Sequence, residues 1–321
     1  MNRLDTNTPP VCAIILPCYN EQAVLPFTMP LIDQLLQDMI GDGTISPDSF
    51  ALYVDDGSAD DTWTLVFRAA RDNRRVRGIK FSGNAGHQNA LVAGMLAVAP
   101  LADCAVTIDA DLQDDIGVIP EMLRLAAEGN HIVYGVRADR QSDSWFKRTT
   151  AKLFYAAMRA LGAPIVPGHA DFRLVSRFAM RTLEQYSERC LFLRSLFPGM
   201  KLPSAVVSYA RRPRTAGETK YPLRKMLSFA LSGLTASSPV PLRISAVLSL
   251  LSFAGAIGLS VHALASYFSG CIVPGWTSLT LTMLWLGAMQ LFCMAVLGEY
   301  IARIFTEVRR RPLYSIEQKL L

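Results

Sequence analysis

The chain has 321 residues, a formal net charge of +5, 51% hydrophobic residues and a mean hydropathy of +0.25. The hydrophobic fraction is high for a soluble protein, and six cysteines without a C-x-x-C pair argue against a disulfide framework or a zinc site. The first ten residues are mostly polar and predict no signal peptide, and the modest charge predicts no nucleic-acid partner.

Apolar runs rich in β-branched residues alternate with helical patterns in the first half of the chain. We predict strands at 11–16, 50–54, 76–81, 104–108 and 131–136, with helices between them. That alternation indicates βαβ units and a mostly parallel sheet. Because ligands bind at the carboxyl edge of such sheets, polar residues at the strand ends are the first candidates for a functional site.

Paired carboxylates follow two of these strands directly. Asp55 and Asp56 come after the second strand, and Asp109 and Asp111 stand one residue apart after the fourth. Mg²⁺ is typically held by one or two carboxylates together with substrate phosphates, so Asp109 and Asp111 predict a divalent-metal site. An Asp-x-Asp sequence alone is more often a solvated turn, and the second acidic strand end is what favours a site.

The polar residues at four strand ends form a series of motifs. In chain order they are Pro17-x-Tyr19-Asn20-Glu21, Val54-Asp55-Asp56-Gly57-Ser58, Asn84-x-Gly86-His87-Gln88 and Asp109-x-Asp111-Leu112-Gln113-Asp114. Together they closely resemble the inverting family 2 glycosyltransferases with a GT-A fold. Within that superfamily the chain resembles the polyprenyl-phosphate glycosyltransferases, which are relatives of dolichol-phosphate mannose synthase and bactoprenol glucosyltransferase. The resemblance continues through Asp171-Phe172-Arg173-Leu174, Arg214-x-x-Gly217-Glu218-Thr219-Lys220-Tyr221 and Leu297-Gly298-Glu299-Tyr300-Ile301.

The resemblance implies a Rossmann-like GT-A catalytic domain that uses Mg²⁺ or Mn²⁺. It assigns the metal to Asp109, Asp111 and Gln113, with Asp111 also catalytic. The residues that it assigns to the nucleotide sugar are Pro17, Tyr19, Glu21, Asp56, Asn84 and Asp109. Asp55 is a weaker candidate, and His87 is either part of an anion-binding helix start or a packed core histidine.

The resemblance also implies an acceptor site. It matches Arg214 to the family's phosphate-binding arginine, and Lys220 completes the same motif. Arg212 of the same basic run, and Arg173, are further candidates for contact with the phosphate of the acceptor lipid. A basic run such as 211–220 is usually a solvated face, but its position before an apolar segment favours a phosphate clamp. Asp171 matches the family's general base. Since a phosphate monoester has its second pKa near ~6, the acceptor is largely a dianion already, and Asp171 either acts as the base or orients the acceptor or the sugar.

Two C-terminal segments without charged residues have the ~20 apolar residues that a membrane span needs. The predicted order begins with a GT-A domain at 1–220, which includes an interfacial amphipathic helix near 145–161. A juxtamembrane amphipathic helix follows at 221–243. The two spans lie at 244–268 and 277–298, with an external loop at 269–276 between them and a basic tail at 299–321 after them. Arg243 before the first span, and several arginines after the second, predict cytoplasmic ends by the positive-inside rule. A buried helical hairpin in a soluble core is the alternative.

The sequence therefore predicts a multi-pass protein of the plasma membrane with a cytoplasmic catalytic domain. We expect it to transfer a sugar, with inversion, from a UDP-linked donor to undecaprenyl phosphate, and by resemblance to form a homotetramer. One alternative is a processive polysaccharide synthase of the same superfamily, although such enzymes usually carry a Gln-x-x-Arg-Trp motif that is absent here. The other alternative is a non-catalytic membrane scaffold, which a donor-hydrolysis assay would distinguish.

Overall fold

The computed structural model describes residues 8–137, 169–186, 188, 192–210, 240–269 and 275–321. The predicted interfacial helix near 145–161 and most of the predicted juxtamembrane helix at 221–243 lie outside these residues. So does most of the predicted external loop.

One eight-stranded sheet forms the centre of the described domain. Its strands are β1 Cys12–Cys18, β2 Phe50–Asp55, β3 Val76–Phe81, β4 Cys104–Thr107, β5 Ile132–Arg137, β6 His169–Ser176, β7 Ser204–Tyr209 and β8 Ile316–Leu320. The described helices are α1 Leu25–Gly41, α2 Thr62–Asp72, α3 His87–Val98, α4 Ile119–Ala127, α5 Arg177–Glu184, α6 Leu193–Gly199, α7 Val240–Phe268 and α8 Trp276–Arg309.

The spatial order of the strands is β7-β5-β6-β4-β1-β2-β3-β8. Strands β1 to β4 pair in parallel, as do β5 and β7, whereas β6 and β8 are antiparallel to their neighbours. The predicted mostly parallel α/β sheet is therefore confirmed, and the five predicted strands are β1 to β5. Because β6 runs against β4, the amino end of β6 lies at the same edge as the carboxyl ends of β1, β2 and β4.

Helices cover both faces of the sheet, because successive residues of a strand point to opposite sides. Ile14 and Leu16 of β1 pack with α1, α2 and α4 on one face, whereas Ala13 and Ile15 pack with α3, α5 and α6 on the other. Helix α3 lies especially close to β1, since a Cβ on Gly94 would approach Ile15 Cγ2 to 2.5 Å. This packing fixes the start of α3 beside the sheet edge.

The two long C-terminal helices differ from the rest of the fold in their exposed apolar surface. Leu250 of α7 is 67% exposed and Trp285 of α8 is 73% exposed, and both helices are long and apolar enough to cross a membrane. Helix α8 continues to Arg309, well beyond the predicted end of the second span at residue 298.

The residues after α8 return to the sheet. Strand β8 pairs antiparallel with β3, and the ring of Tyr314 stacks on that of Phe81 with centroids 4.9 Å apart. Lys80 and Glu317 add an ion pair of 3.0 Å across this edge. The segment predicted only as a basic tail at 299–321 thus contains the end of a helix and an edge strand. Both ends of the α7–α8 pair are consequently connected to the same sheet.

Candidate active site

The loops after β1 and β2 are joined by reciprocal hydrogen bonds. The side chain of Asn20 accepts from the N–H of Ala59 at 2.9 Å, and that of Gln22 accepts from the N–H of Asp61 at 3.0 Å. In return, Asp60 accepts from the N–H of Gln22 at 3.1 Å. Asn20 adopts a left-handed backbone with φ of 56°, which asparagine tolerates better than most residues. These bonds hold two predicted nucleotide-binding loops together.

The predicted nucleotide-sugar residues of these loops lie at neighbouring strand ends. Pro17 is buried near the end of β1, and Tyr19 follows that strand with a side chain that is 49% exposed. Glu21 is half-buried in the same loop, and its N–H donates to Thr62 Oγ1 at 2.8 Å. Asn84 is exposed in the loop between β3 and α3. The structure therefore brings these four residues to one edge of the sheet.

The two carboxylates after β2 have different partners. Asp56 is buried and accepts from the N–H groups of Ala85 at 2.6 Å and Gly86 at 2.9 Å. Asp55 is fully buried, and its Oδ1 accepts from the N–H of Ser58 at 3.0 Å. Burial raises the pKa of both carboxyl groups. Asp56 thus holds the loop that begins α3, whatever else it contacts.

Close contact between two loops requires glycine at position 57. Gly57 has a φ of +69°, and a Cβ there would lie 2.5 Å from the backbone carbon of Gly83. The Gly-Ser turn of the second motif is therefore needed to seat the β2–α2 loop against the β3–α3 loop.

The second acidic motif forms a tight turn after β4. The N–H of Leu112 donates to the carbonyl of Asp109 at 3.1 Å, and Leu112 has a left-handed φ of 45° that is uncommon for a bulky residue. Asp111 Oδ1 lies 3.3 Å from the N–H of Gln113, whose side chain is buried. The side chain of Asp109 is 42% exposed. Partial desolvation, with the nearby carboxylates, raises the pKa of Asp109.

The donor set of this turn suits a hard divalent ion. Asp109, Asp111 and Gln113 offer carboxylate and amide oxygens, which are the ligands that Mg²⁺ and Mn²⁺ favour. Within the described residues, no group of three or more His, Cys, Asp or Glu side chains could hold a metal by itself. In proteins, Mg²⁺ held by one or two carboxylates commonly takes substrate phosphates as further ligands.

A buried ion-pair network faces this turn from β6. Thr107 of β4 lies opposite Arg173, and its hydroxyl donates to the carbonyl of Asp171 at 2.6 Å. Arg173 Nη2 donates to Asp171 Oδ1 at 2.6 Å, and Arg194 Nη2 donates to Asp171 Oδ2 at 3.1 Å. The carboxylate of Asp171 is thus held between two guanidinium groups at the same edge as Asp109.

This network determines the protonation of Asp171. Burial alone would raise the pKa of Asp171, but Arg194, His87 and Arg173 bring it well below its usual range. A carboxylate stabilised in this way is a weak proton acceptor. A carboxylate held between two arginines is compatible with the orienting role predicted for Asp171, and the choice between that role and a general base stays a prediction.

His87 connects the two acidic sites. Its Nε2 lies 3.7 Å from Asp109 Oδ1 and 3.6 Å from Asp171 Oδ2. Partial burial would lower the pKa of His87, but Asp171 and Asp109 raise it overall. The imidazole is therefore a contact between the Asp109 turn and the Asp171 network, and not a packed core histidine.

Comparison with known proteins identifies the family. Residues 13–183, more than half of the chain, match the family described as Glycosyl transferase family 2. The chain belongs to this family. It is 44% identical to the uncharacterized glycosyltransferase YkoT of Bacillus subtilis (strain 168) over 308 residues, which cover 96% of this chain and 91% of that protein. It is 31% identical to the bactoprenol glucosyl transferase of Shigella phage SfII over 312 residues, or 95% and 97% of the two chains.

A solved structure is also similar in outline. The chain resembles the mannosyltransferase PcManGT from Pyrobaculum calidifontis in complex with GDP-Man and Mn²⁺, with 18% identity, 92% of this chain and 88% of that chain covered, and a TM-score of 0.41. The family prediction is confirmed by the sequence matches, and the protein is a glycosyltransferase.

The motifs contain most of the polar residues that the structure brings to this sheet edge, but they do not contain Arg194. Arg194 belongs to no predicted motif, and only its contact with Asp171 reveals it. Arg173 is 1% exposed and is enclosed by protein groups, so its predicted contact with a substrate phosphate has little support. The predicted phosphate residues Arg212, Arg214 and Lys220 lie outside the described residues. The assigned roles of all these residues stay predictions.

Proposed function

We propose that this glycosyltransferase moves a sugar from a nucleotide donor, by resemblance a UDP-sugar, to a polyprenyl phosphate. The proposal depends on one observation. Asp109 and Asp171 both contact His87 at one edge of the sheet, and the same chain continues into two exposed apolar helices. The 31% identity with a bactoprenol glucosyl transferase over 95% of the chain supports a lipid-phosphate acceptor. The product would be a sugar linked to the lipid phosphate, formed with inversion in a single displacement.

On the donor side, Asp109, Asp111 and Gln113 would hold Mg²⁺ or Mn²⁺. The ion would neutralise the negative charge that develops on the leaving diphosphate. Pro17, Glu21, Asp56 and Asn84 are proposed to contact the nucleoside diphosphate. The exposed ring of Tyr19 at the end of β1 is suited to stacking on a base.

On the acceptor side, a phosphate dianion can attack the sugar without losing a proton to the protein. The lowered pKa of Asp171 supports a role in orienting the acceptor or the sugar. Arg212, Arg214 and Lys220 remain proposed phosphate contacts on the strength of the resemblance. The homotetramer also remains a proposal.

The connection of α7 and α8 to one sheet supports a membrane orientation. Strand β7 precedes this pair of helices and β8 follows it, and both strands belong to the same sheet. If both helices cross the bilayer, the chain leaves and returns on one side. We propose that this side is the cytoplasm, where nucleotide sugars are available, and that the membrane is the plasma membrane.

An acceptor panel tests the function. The purified full-length protein would be supplied with UDP- and GDP-sugars and with either a polyprenyl phosphate or the matching polyprenol that lacks the phosphate. We expect a glycosyl phosphate in the lipid extract from the first acceptor alone. Chelation with EDTA should stop the transfer, and added Mg²⁺ or Mn²⁺ should restore it.

Each arm of this experiment has a result that contradicts part of the proposal. Efficient transfer to a soluble acceptor, with none to the polyprenyl phosphate, would refute the lipid-phosphate acceptor. Full activity in excess EDTA would remove the metal ion from the proposed mechanism. A protein that neither hydrolyses nor transfers any donor would favour the scaffold alternative.

A further inference from the structure

Arg194 is a charged residue beside the candidate site that no sequence motif assigns. It lies near the start of α6, and its Nη2 donates to Asp171 Oδ2 at 3.1 Å. The other oxygen of the same carboxylate accepts from Arg173 Nη2 at 2.6 Å. Asp171, Arg173 and Arg194 thus form a triad in which one carboxylate lies between two guanidinium groups.

The two arginines of the triad differ in their access to a ligand. The side chain of Arg173 is 1% exposed, its Nη1 donates to the carbonyl of Leu193 at 3.3 Å, and its guanidinium lies 4.9 Å from the ring centroid of Phe197. The side chain of Arg194 is 32% exposed. Of the two guanidinium groups, that of Arg194 is therefore the one that a ligand could reach, whereas Arg173 supports the network from inside the protein.

The backbone next to Arg194 is fixed from two directions. The N–H of Leu193 donates to Gln88 Oε1 at 3.0 Å, and the carbonyl of Leu193 accepts from Arg173. Gln88 follows His87 in the motif that begins α3, and His87 contacts both Asp109 and Asp171. The position of Arg194 is thus linked to the turn that would hold the donor metal. When a side chain is already positioned in the free protein, less conformational entropy is lost as a ligand binds to it.

We propose that Arg194 binds the phosphate of the acceptor, a lipid phosphate monoester, and orients it towards the sugar. This inference rests on the proposed function. A guanidinium can bind two phosphate oxygens at once, and its contact with Asp171 holds its plane in place. In this arrangement a divalent ion held at the Asp109 turn would neutralise the donor diphosphate, while Arg194 would neutralise the attacking phosphate. Two groups of negative charge can then approach each other.

Substitution of Arg194 separates acceptor binding from donor binding. We would measure KM for a short isoprenyl phosphate, KM for the nucleotide sugar and kcat for Arg194→Gln and Arg194→Lys. Loss of a hydrogen bond to a charged group predicts a rise of about tenfold or more in the acceptor KM of Arg194→Gln. The donor KM should change by less than about twofold, a bound that corresponds to well under 1.4 kcal/mol. Arg194→Lys should recover part of the loss, because an ammonium group keeps the charge but not the two-point contact.

Arg177→Gln is the matched control. Arg177 is also about one-third exposed, with 35% of its side chain accessible, and it pairs with Asp103 at 3.1 Å away from the sheet edge. This variant should leave both KM values unchanged. The melting temperatures of all variants show whether each one is folded, and if Arg194→Gln does not fold, the charge-retaining Arg194→Lys still tests the contact through its acceptor KM.

The remaining outcomes would overturn the inference in distinguishable ways. A raised donor KM with an unchanged acceptor KM would assign Arg194 to the donor diphosphate. Unchanged KM values for both Arg194 variants would leave Arg194 as a structural partner of Asp171 only. If the wild-type protein transfers sugar to another acceptor but not to an isoprenyl phosphate, the proposed function itself is wrong, whatever the variants do.

Discussion

The two halves of the sheet edge hold their polar side chains in different ways. On the donor half, which comprises the loops after β1, β2 and β3, side chains such as Asn20, Gln22 and Asp56 accept from backbone N–H groups of neighbouring loops. On the acceptor half, which comprises β6 and α6, Asp171 and Arg194 bind each other as charged side chains. The loops of the donor half are therefore held by hydrogen bonds to the backbone, whereas the acceptor half is held by ion pairs between side chains.

This difference indicates how each half should respond to substitution. A change on the donor half loosens a loop, whereas a change on the acceptor half leaves a buried charge without its partner. His87 joins the halves through its contacts with Asp109 and Asp171. We therefore expect the largest effects at the boundary of the two halves, where both substrates would meet.

The largest effect is expected for Asp111→Ala. Asp111 lies in the turn after β4, and β4 lies between β6 of the acceptor half and β1 of the donor half. Loss of a group that stabilises developing charge typically costs about 10²–10³ in kcat, so transfer should fall at least about a hundredfold with every acceptor. The melting temperature should change little, because Asp111 is only half-buried. Asp115→Asn is the control, since Asp115 belongs to the same segment but caps a short helix through the N–H of Gly117. Transfer by Asp111→Ala at the wild-type rate would exclude this turn as the metal site.

A smaller effect, confined to the acceptor half, is expected for Asp171→Asn. Removal of the charge shared by Arg173 and Arg194 should lower the free energy of unfolding by roughly 1.5–3 kcal/mol at neutral pH. The acceptor KM should rise more than kcat falls, which would distinguish an orienting residue from a base. The opposite split, with a large fall in kcat and an unchanged KM, would restore Asp171 as the general base.

The pH dependence of the stability lost in Asp171→Asn follows from the lowered pKa of Asp171. Its stabilising contribution is fully present above the unfolded pKa of about 3.9 and is lost as the pH falls through the lower folded pKa. The stability difference between the wild type and Asp171→Asn should thus be largest between about pH 5 and 6 and should narrow below about pH 4. It should also narrow as the pH rises through the raised pKa of His87, because Asp171 contributes to that rise. A difference that already narrows as the pH falls from about 6 to 5 would show that Asp171 is not held ionised.

The sequence predicted the donor half more completely than the acceptor half. Strands β1, β2, β4 and β5 are mainly apolar and β3 alternates buried apolar residues with Arg77 and Lys80. The residues of the donor half follow β1, β2 and β3 directly, so a local pattern located both the strands and these residues. Strand β6 contains Asp171 and Arg173 within it, and β8 is mostly polar, so neither has the composition of a buried strand. Both are stabilised by distant partners, β4 and β3, which a local pattern does not contain.

Arg194 shows the same limit within the site. It is separated from Asp171 by 23 residues, and only the fold places the two side chains together. His87 was visible in its motif, but its two possible roles could be separated only by its distances to Asp109 and Asp171. Similarly, the motif that contains Asp56 predicted a nucleotide contact. Its hydrogen bonds from Ala85 and Gly86 could not be predicted in this way, because they depend on the approach of two loops.

The smallest effect is expected for an ion pair that belongs to neither half. Asp33 of α1 accepts from Arg75 Nε at 2.9 Å and from Asn73 at 2.8 Å, and both charged side chains are about one-quarter exposed. Burial would raise the pKa of Asp33, but the hydrogen bonds from Arg75 and Asn73 lower it overall. Asp33→Ala should therefore lower the free energy of unfolding by about 1 kcal/mol at neutral pH, because the pair is partly screened by solvent.

The stability lost in Asp33→Ala should depend on acidic pH in the same way as that lost in Asp171→Asn. Catalysis should not change. The contribution of Asp33 is present above about pH 4 and is lost as the pH falls through its lower folded pKa. Asp38→Ala, an exposed acid of the same helix that is bonded by Gln34, is the control and should leave the unfolding curve nearly unchanged. Since Asp33 lies outside the sheet edge, neither KM should move. A change in the acceptor KM of Asp33→Ala would show that charge sensitivity is not confined to the acceptor half.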